Sequence, residues 1–278
     1  MSQGDGAAAA SDQPVFTVTR PDGAPGPFVF ASPHSGVVIP DDMGADPALT
    51  SVEINSAGDA LMDRLIAAGP THGAPVIAAR IARAYVDLNR APEDLDPLLI
   101  DGVDAAGGPK TAAGYGVIPR LAGTGAPLYA RRLTAAEADG RLVRAHAPYH
   151  AALADLMRAA KAAHGRAVLV DWHSMPGKTG GIEVVLGDRH GTSCRALLTR
   201  RLKTLFEKQG FSVALNHPYA GGWSTQAWGR PDEGYEAIQI EISRALYLDP
   251  RTGGPSAGWG RCAAALNQVI AALPVGPG

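Results

Sequence analysis

The sequence AVLVDWHSM, residues 167–175, decides the fold class and indicates the chemistry of the protein. It begins with four consecutive apolar residues, and such a short run is typical of a buried strand. Asp171 and His173 follow directly, and their spacing of two places both side chains on one face of an extended chain. Because ligands and catalytic groups gather at the carboxyl ends of strands in α/β sheets, we expect a functional site here.

Two further apolar runs lead into chemically active side chains. FVFAS, residues 28–32, precedes His34, and AIQI, residues 237–240, precedes Glu241. Together with His173, these residues give two histidines and a carboxylate at predicted strand ends. That combination predicts a metal-dependent hydrolase with zinc as the ion.

Predicted strands and helices alternate along the chain. We predict strands at 28–32, 75–79, 83–88, 167–171, 182–186, 211–215 and 237–242, and helices at 51–68, 134–164, 192–209 and 257–273. Thr134 and Glu137 have the spacing of a capping box at the start of the second helix. The alternation predicts an α/β fold with a mixed, largely parallel sheet.

The composition suits one large globular domain. The chain has 278 residues, of which 46% are hydrophobic and 19% charged, and its formal net charge is −2. We predict a mobile tail over residues 1–12 and a single catalytic domain over 13–275. The weak charge gives no reason to expect nucleic acid or an anionic membrane as a partner.

The termini and cysteines indicate a cytoplasmic setting. The first residues have no basic segment followed by an apolar one, and no apolar run is long enough to span a bilayer. Cys194 and Cys262 are too few for a disulfide framework, so we expect two reduced thiols. These features predict a cytoplasmic protein that acts on a small molecule.

A third metal ligand is expected from the predicted helix 51–68. Asp59 and Asp63 are four residues apart, so they share one face of a helix. Asp59 is the preferred ligand. Glu53, at the helix start where an acid suits the helix dipole, is the alternative. With the two histidines, this acid predicts one Zn²⁺ per chain.

Glu241 is the predicted general base. It lies inside the apolar strand run IQIEIS, residues 238–243, where a carboxylate is partly desolvated. Such a group suits proton abstraction from a water molecule that is activated by zinc. An ion pair between Glu241 and Arg244 is the structural alternative.

Arginine and asparagine side chains predict a carboxylate-binding site. The segment RAYVDLNR, residues 83–90, has an arginine at each end of a predicted strand, and arginine binds carboxylates through two parallel hydrogen bonds. We predict that Arg90 and Asn89 bind the α-carboxylate of the substrate and that Arg83 stabilises an oxyanion. Arg120 and Arg244 are candidates for a second carboxylate.

Histidines on the 134–164 helix do not form a zinc-protease motif. His150 follows another histidine at the right distance, but Ala147 occupies the position where H-E-x-x-H needs glutamate. His150 remains a candidate for lining the site. The glycine-rich segment 217–225 is predicted to close over the substrate, with contacts from His217, Gly222 and Thr225.

Eight segments resemble the N-formylglutamate amidohydrolases. They are SPHSG (32–36), DALMDRL (59–65), RAYVDLNR (83–90), PYHAAL (148–153), DWHSMP (171–176), LGDRHGTSC (186–194), NHPYAGGWST (216–225) and QIEISRALYLD (239–249). They follow one another across nearly the whole chain. The resemblance implies a single three-layer α/β/α domain like that of zinc carboxypeptidases and aspartoacylases. It also implies zinc held by His34, an acid and His173, with Glu241 as the base.

The resemblance further implies hydrolysis of N-formyl-L-glutamate, or a close N-acyl amino acid, and a usual family setting in histidine degradation. Aspartoacylases take their first two zinc ligands from H-x-x-E, but Val37 occupies the glutamate position here. Two alternatives stay open. A carboxypeptidase-like peptidase needs an open groove for a peptide, and a non-catalytic carboxylate-binding protein needs no metal.

Overall fold

A computed structural model of the protein describes residues 14–104, 107–177 and 180–273. The chain divides into two compact units. Of the described residues, unit 1 comprises 14–17, 36–58, 79–104 and 107–149, and unit 2 comprises 18–35, 59–78, 150–177 and 180–273. The predicted mobile tail, residues 1–12, lies outside the described residues, and the single catalytic domain stays a prediction.

A mixed sheet of seven strands, counted over the described residues, carries the apolar runs found in the sequence. Its strands are β1 (Phe16–Thr19), β2 (Phe28–Ser32), β3 (Val76–Ala79), β4 (Ala167–Met175), β5 (Val184–Gly187), β6 (Val213–Leu215) and β7 (Tyr235–Ser243). Their order is β1-β3-β2-β4-β7-β5-β6. Strand β2 is parallel to β3 and β4, β4 to β7, and β5 to β6, whereas β5 and β7 are antiparallel. The predicted α/β class with a mixed, largely parallel sheet is confirmed.

The helices are α1 (Ser51–Ile54), α2 (Met62–Leu65), α3 (Pro109–Ala112), α4 (Ala135–Arg141), α5 (Ala147–His164), α6 (Ala196–Lys208), α7 (Trp223–Trp228) and α8 (Trp259–Ala272). A π turn, Leu142–His146, joins α4 and α5. The capping box of α4 is confirmed, because Thr134 and Glu137 each accept a hydrogen bond from the backbone of the other. In the described part of the chain, none of these helices has the length and apolarity needed to cross a membrane.

The predicted helix 51–68 is wrong as a continuous element. It is divided into α1, a short 3₁₀ turn and α2. Gly58 is extended (φ −74°, ψ 167°), and Leu61 has a φ of 66°, so the helix cannot pass through either residue. Asp59 and Asp63 therefore do not share one helical face, and the position of Asp59 has another cause.

The predicted strand 83–88 is also wrong, because the segment forms turns. The Tyr85 N–H donates to the Ala82 carbonyl, and the Asp87 carboxylate accepts a hydrogen bond from the Asn89 N–H. Aspartate and asparagine favour such local hydrogen bonds over a sheet ladder. The apolar residues Val86 and Leu88 are nevertheless buried, so apolarity signalled burial here and not a strand.

An aromatic core in unit 2 fixes the position of β4. Trp172 packs edge-on between Phe30, at 5.6 Å between ring centroids, and Phe206, at 6.5 Å. Cys194 and Cys262 belong to the same core and form no disulfide within the described residues. Burial raises the pKa of Cys194 to about 12 and that of Cys262 to about 11, so both are protonated packing groups at neutral pH.

Unit 1 is organised around a buried arginine. Arg141 is 2% exposed and lies 4.7 Å from the centroid of the Tyr85 ring and 5.4 Å from that of Tyr129. Its guanidinium also donates to the Tyr129 hydroxyl at 2.7 Å and to the Met43 carbonyl at 2.6 Å. The buried guanidinium has therefore exchanged its contacts with water for contacts with carbonyl and hydroxyl oxygens and aromatic rings.

The capping box at Thr134 gives a direct test of helix initiation. Thr134→Ala removes the acceptor of the Glu137 N–H, so we expect the free energy of unfolding to fall by about 1 kcal/mol in urea denaturation. Thr204→Ala is the matched control, because Thr204 is an exposed residue within α6 and its change should stay within about 0.5 kcal/mol. Equal losses in the two variants would show that the box contributes nothing specific.

Candidate metal centre

His34, Asp59 and His173 converge in unit 2. Their candidate ligand atoms all lie within 4.8 Å of one another. His173 Nδ1 is 3.1 Å from His34 Nδ1 and 3.0 Å from Asp59 Oδ2, and His34 Nδ1 is 3.4 Å from the same oxygen. All three side chains are buried. Two imidazoles and a carboxylate whose donor atoms face one point form a donor set that suits a divalent cation such as zinc.

The strands and one backbone hydrogen bond bring the three residues together. His34 follows the end of β2, and His173 lies near the end of the neighbouring parallel strand β4. The Asp59 N–H donates to the His34 carbonyl at 2.7 Å, which holds Asp59 beside the histidine. A tertiary contact and not a shared helix face therefore positions this acid.

Glu53, the alternative acid, belongs to unit 1. Its carboxylate accepts hydrogen bonds from the Thr50 N–H at 2.8 Å and the Thr50 hydroxyl at 2.7 Å. These contacts form a capping box at the start of α1. The structure thus gives Glu53 a helix-capping role and brings Asp59 to the two histidines.

Asp171 orients His173, as the spacing of two residues on one strand predicts. Asp171 Oδ2 lies 3.0 Å from His173 Nε2. A proton on Nε2 donates to this carboxylate, and Nδ1 donates to Asp59 while it carries the second ring proton; loss of that proton would leave the Nδ1 lone pair directed toward Asp59 and His34. Asp171 thereby selects the ring nitrogen that is available as a ligand.

Charge and burial act against each other at these residues. Burial disfavours the charged form of Asp59, but hydrogen bonds and positive charge from His173 and His34 outweigh it and hold the pKa of Asp59 well below its usual value. Burial likewise opposes protonation of His173, yet Asp171 and Asp59 raise its pKa well above the usual value. A proton therefore binds tightly among these groups, and a cation that binds there must displace it.

Ser174 and Arg244 engage the second oxygen of Asp59. The Ser174 hydroxyl donates to Asp59 Oδ1 at 2.7 Å, and Arg244 Nη2 donates to it at 3.2 Å. Arg244 Nε also donates to the Ser174 hydroxyl at 2.9 Å. These contacts leave Asp59 Oδ2 facing the histidines. Ser174 is not among the residues predicted from the sequence, and Arg244, a predicted carboxylate-binding residue, contacts Asp59.

Glu241 lies next to His173 on the neighbouring strand. The two residues are register partners in the parallel pair β4–β7, so their side chains leave the same face of the sheet. Glu241 is 6% exposed, as its apolar flanks predict, and its Oε1 accepts a hydrogen bond from Gln239 Nε2 at 2.7 Å. The register thus places a buried, oriented carboxylate beside one of the candidate metal ligands.

The predicted carboxylate-binding residues surround a buried acid in unit 1. Asp87 Oδ2 lies 2.9 Å from Arg83 Nε and 3.9 Å from Arg90 Nε. The Asn89 N–H donates to the other oxygen of Asp87 at 2.9 Å. The three predicted residues are therefore held on one turn by a carboxylate, and not along a strand.

Arg90 and Arg120 flank the same short segment of unit 1. Arg90 Nε donates to the Tyr115 carbonyl at 2.9 Å, and Arg120 Nε donates to Asp96 at 2.8 Å. Arg120 Nη2 lies 3.3 Å from the position that a Cβ atom on Gly114 would occupy. Within the described residues, the Nη nitrogens of both arginines make no hydrogen bond, although the side chains are only 18% and 26% exposed. Two partly buried guanidinium groups thus present donors to an anion.

The remaining predicted residues occur in unit 2. His150 packs edge-on against Trp223 with 4.5 Å between ring centroids. Gly222 is the N-cap of α7, and its carbonyl accepts a hydrogen bond from the buried Thr225 hydroxyl at 2.7 Å. His217 is exposed after β6. A substrate contact of these residues stays a prediction.

Comparison with known proteins gives one consistent family. Residues 26–248 match the family described as FGase, N-formylglutamate amidohydrolase. An N-formylglutamate deformylase of Pseudomonas aeruginosa is 29% identical over 233 residues, and one of Pseudomonas putida is 27% identical over 232. Each alignment covers 80% of this chain and 82% of the relative.

Solved structures show the same fold. The crystal structure of an N-formylglutamate amidohydrolase from Ralstonia eutropha JMP134 is 33% identical, with a TM-score of 0.88 over 93% of this chain and 96% of that one. The Agrobacterium tumefaciens gene product Atu2144 is 17% identical, with a TM-score of 0.66 over 94% of each chain. The Agrobacterium protein is similar in fold alone, whereas the Ralstonia protein is similar in both fold and sequence.

Proposed function

Since this chain belongs to the N-formylglutamate amidohydrolase family and is a hydrolase of amides, we propose that it removes the formyl group from N-formyl-L-glutamate in a metal-dependent reaction. The products are formate and glutamate. The observation that carries the proposal is the convergence of His34, Asp59 and His173, with Glu241 in register beside His173. A cytoplasmic location and a place in histidine degradation stay predictions.

Three donors would hold one Zn²⁺ ion in this proposal. They are Nδ1 of His34, Oδ2 of Asp59 and Nδ1 of His173, and three protein ligands are typical of catalytic zinc. When bound there, the ion would supply a Lewis acid and would lower the pKa of a bound water molecule to about 7. Asp171 holds the His173 tautomer, and Ser174 fixes the rotation of the Asp59 carboxylate.

Glu241 carries the proton in both chemical steps. It accepts a proton from the water that attacks the formyl carbon, as the new C–O bond forms. It then donates that proton to the amide nitrogen, as the C–N bond breaks and glutamate leaves. The hydrogen bond from Gln239 orients the carboxylate for this transfer. Arg83 remains the residue that we propose for stabilising the oxyanion.

The arginines of unit 1 support a substrate with two carboxylates. Arg90, with Asn89, binds the α-carboxylate, and Arg120 binds the side-chain carboxylate. Both guanidinium groups flank Gly114 and Tyr115. Their Nη groups donate no hydrogen bond to another described residue. A planar carboxylate accepts two such N–H groups at once. Arg244 contacts Asp59, and its predicted role in binding the substrate stays a prediction.

Release of the acyl group, as formate or, from the acetylated compound, as acetate, tests the proposed function on a panel of substrates. The panel is N-formyl-L-glutamate, N-formyl-L-glutamine, N-acetyl-L-glutamate and a formylated dipeptide. We expect the highest kcat/KM for N-formyl-L-glutamate, loss of activity after chelation, and recovery with Zn²⁺. Release of the C-terminal amino acid from the dipeptide would favour the peptidase alternative, and absence of formate from every formylated compound would contradict the proposal.

Glu241→Gln tests the general base. The substitution keeps shape and hydrogen bonding but removes the proton acceptor, so we expect kcat to fall roughly 10²- to 10⁴-fold with the metal content unchanged. Glu207→Gln, at an exposed position of α6, is the matched control and should keep full activity. Near-normal turnover in Glu241→Gln would show that another group, such as Asp171, accepts the proton from water.

Arg90→Ala tests recognition of the α-carboxylate. Loss of one partner of a desolvated charged pair costs about 2–5 kcal/mol, so we expect kcat/KM for N-formyl-L-glutamate to fall on the order of 10²- to 10³-fold. The α-amide of the same substrate offers no carboxylate and should lose much less. Arg158→Ala, on the exposed surface of α5, controls for removal of a positive charge. Equal losses on acid and amide would show that Arg90 is structural.

A further inference from the structure

Unit 2 contains a cavity of about 820 Å³ that is separate from the candidate metal centre. It lies at the amino ends of β2, β4 and β7, where Phe28, Val168 and Glu236 are register partners and line it. His173 lies five residues further along β4 than Val168. At about 3.3 Å per residue, roughly 17 Å of strand separates this cavity from the metal ligands.

Positive charge is concentrated around this cavity. Its lining includes Arg166, Arg195, Arg200, Arg201 and Lys208, and Glu236 is the one carboxylate among the described residues that line it. The whole chain has a net charge of −2, so the cluster does not reflect a generally basic protein. Such local charge attracts an anion of matching size.

The single carboxylate is already neutralised. Glu236 is 2% exposed, and it accepts hydrogen bonds from the backbone N–H of Arg195 at 2.8 Å and from its guanidinium at 3.0 Å. Arg166 lies 4.0 Å from the same carboxylate. Among residues 14–104, 107–177 and 180–273, neither Arg200 nor Lys208 has an ion-pair partner. A surplus of positive charge therefore faces the cavity.

Apolar side chains complete the lining. Leu197 is 60% exposed on α6, and Leu198, Leu205 and Leu273 also border the cavity. Leu197, Arg201 and Lys208 follow the spacing of one helix face, so α6 presents apolar and cationic groups to the same space. A volume of about 820 Å³ lies in the range of small-molecule and cofactor sites.

We propose that this cavity binds an organic polyphosphate of nucleotide size. Arginine binds phosphate oxygens through paired N–H groups, and lysine adds a compact charge. The phosphates contact Arg200 and Lys208, and the base packs against the leucine side chains. This site is independent of the proposed deformylase reaction, because it involves none of the residues assigned to that reaction.

Isothermal titration calorimetry with ATP at low salt tests the proposal, with tripolyphosphate and citrate as probes for phosphate and carboxylate alone. We expect ATP to bind more tightly than either probe and its affinity to fall as salt rises, because exposed charges are screened. Arg200→Ala combined with Lys208→Ala should weaken ATP binding at least about tenfold, the effect of losing about 1.4 kcal/mol. Lys203→Ala, at an α6 residue outside the lining, should change it less than about twofold.

Different results would contradict different parts of the proposed polyphosphate site. No ATP binding to the unmodified protein, or equal binding to the double variant, would overturn the site. Equal affinities for ATP and tripolyphosphate would overturn the role of the leucine side chains. ATP binding that is lost in Arg90→Ala and kept in the double variant would place the anion at the arginines of unit 1 instead. Formate release, measured in parallel, reports on the deformylase proposal separately.

Discussion

The parallel register of β2, β4 and β7 is the constraint on which the candidate site depends. It places the loop after β2 beside the end of β4, and it pairs His173 with Glu241 across β4 and β7. Trp172, packed between Phe30 and Phe206, fixes the strand that carries His173. All of β4, and β7 after its first residue, is buried, so a slip of one residue would turn Glu241 to the other face of the sheet and displace the apolar side chains from their packed positions.

Asp59 is the point at which this arrangement must balance charge against burial. A buried carboxylate is costly unless hydrogen bonds and opposite charges compensate it. Here one oxygen is engaged by Ser174 and Arg244, and the other faces the two histidines. The same groups that stabilise the buried charge also fix its orientation, so the contacts that offset the cost of burial also determine which oxygen faces the histidines.

The sequence predicts the residues carried by strands far better than those carried by turns. Short apolar runs precede and thereby identify His34, His173 and Glu241, and the structure brings His173 into contact with His34 and into register with Glu241. A helical spacing predicts Asp59, but the helix is interrupted there, and the position of Asp59 comes from the hydrogen bond of its N–H to the His34 carbonyl. Likewise Asp87 folds residues 83–90 into turns, and no periodicity of apolar residues reports such a side-chain contact.

X-ray absorption spectroscopy at the zinc edge of the zinc-loaded protein tests whether His34, Asp59 and His173 hold the metal. We predict a first shell of nitrogen and oxygen only, at about 2.0–2.2 Å, with the scattering pattern of two imidazoles. The pattern should disappear when His34 and His173 are both replaced by alanine, whereas His72→Ala should leave it unchanged. A first shell that contains sulfur, or an unchanged spectrum in the double variant, would contradict the assignment of the metal to His34, Asp59 and His173.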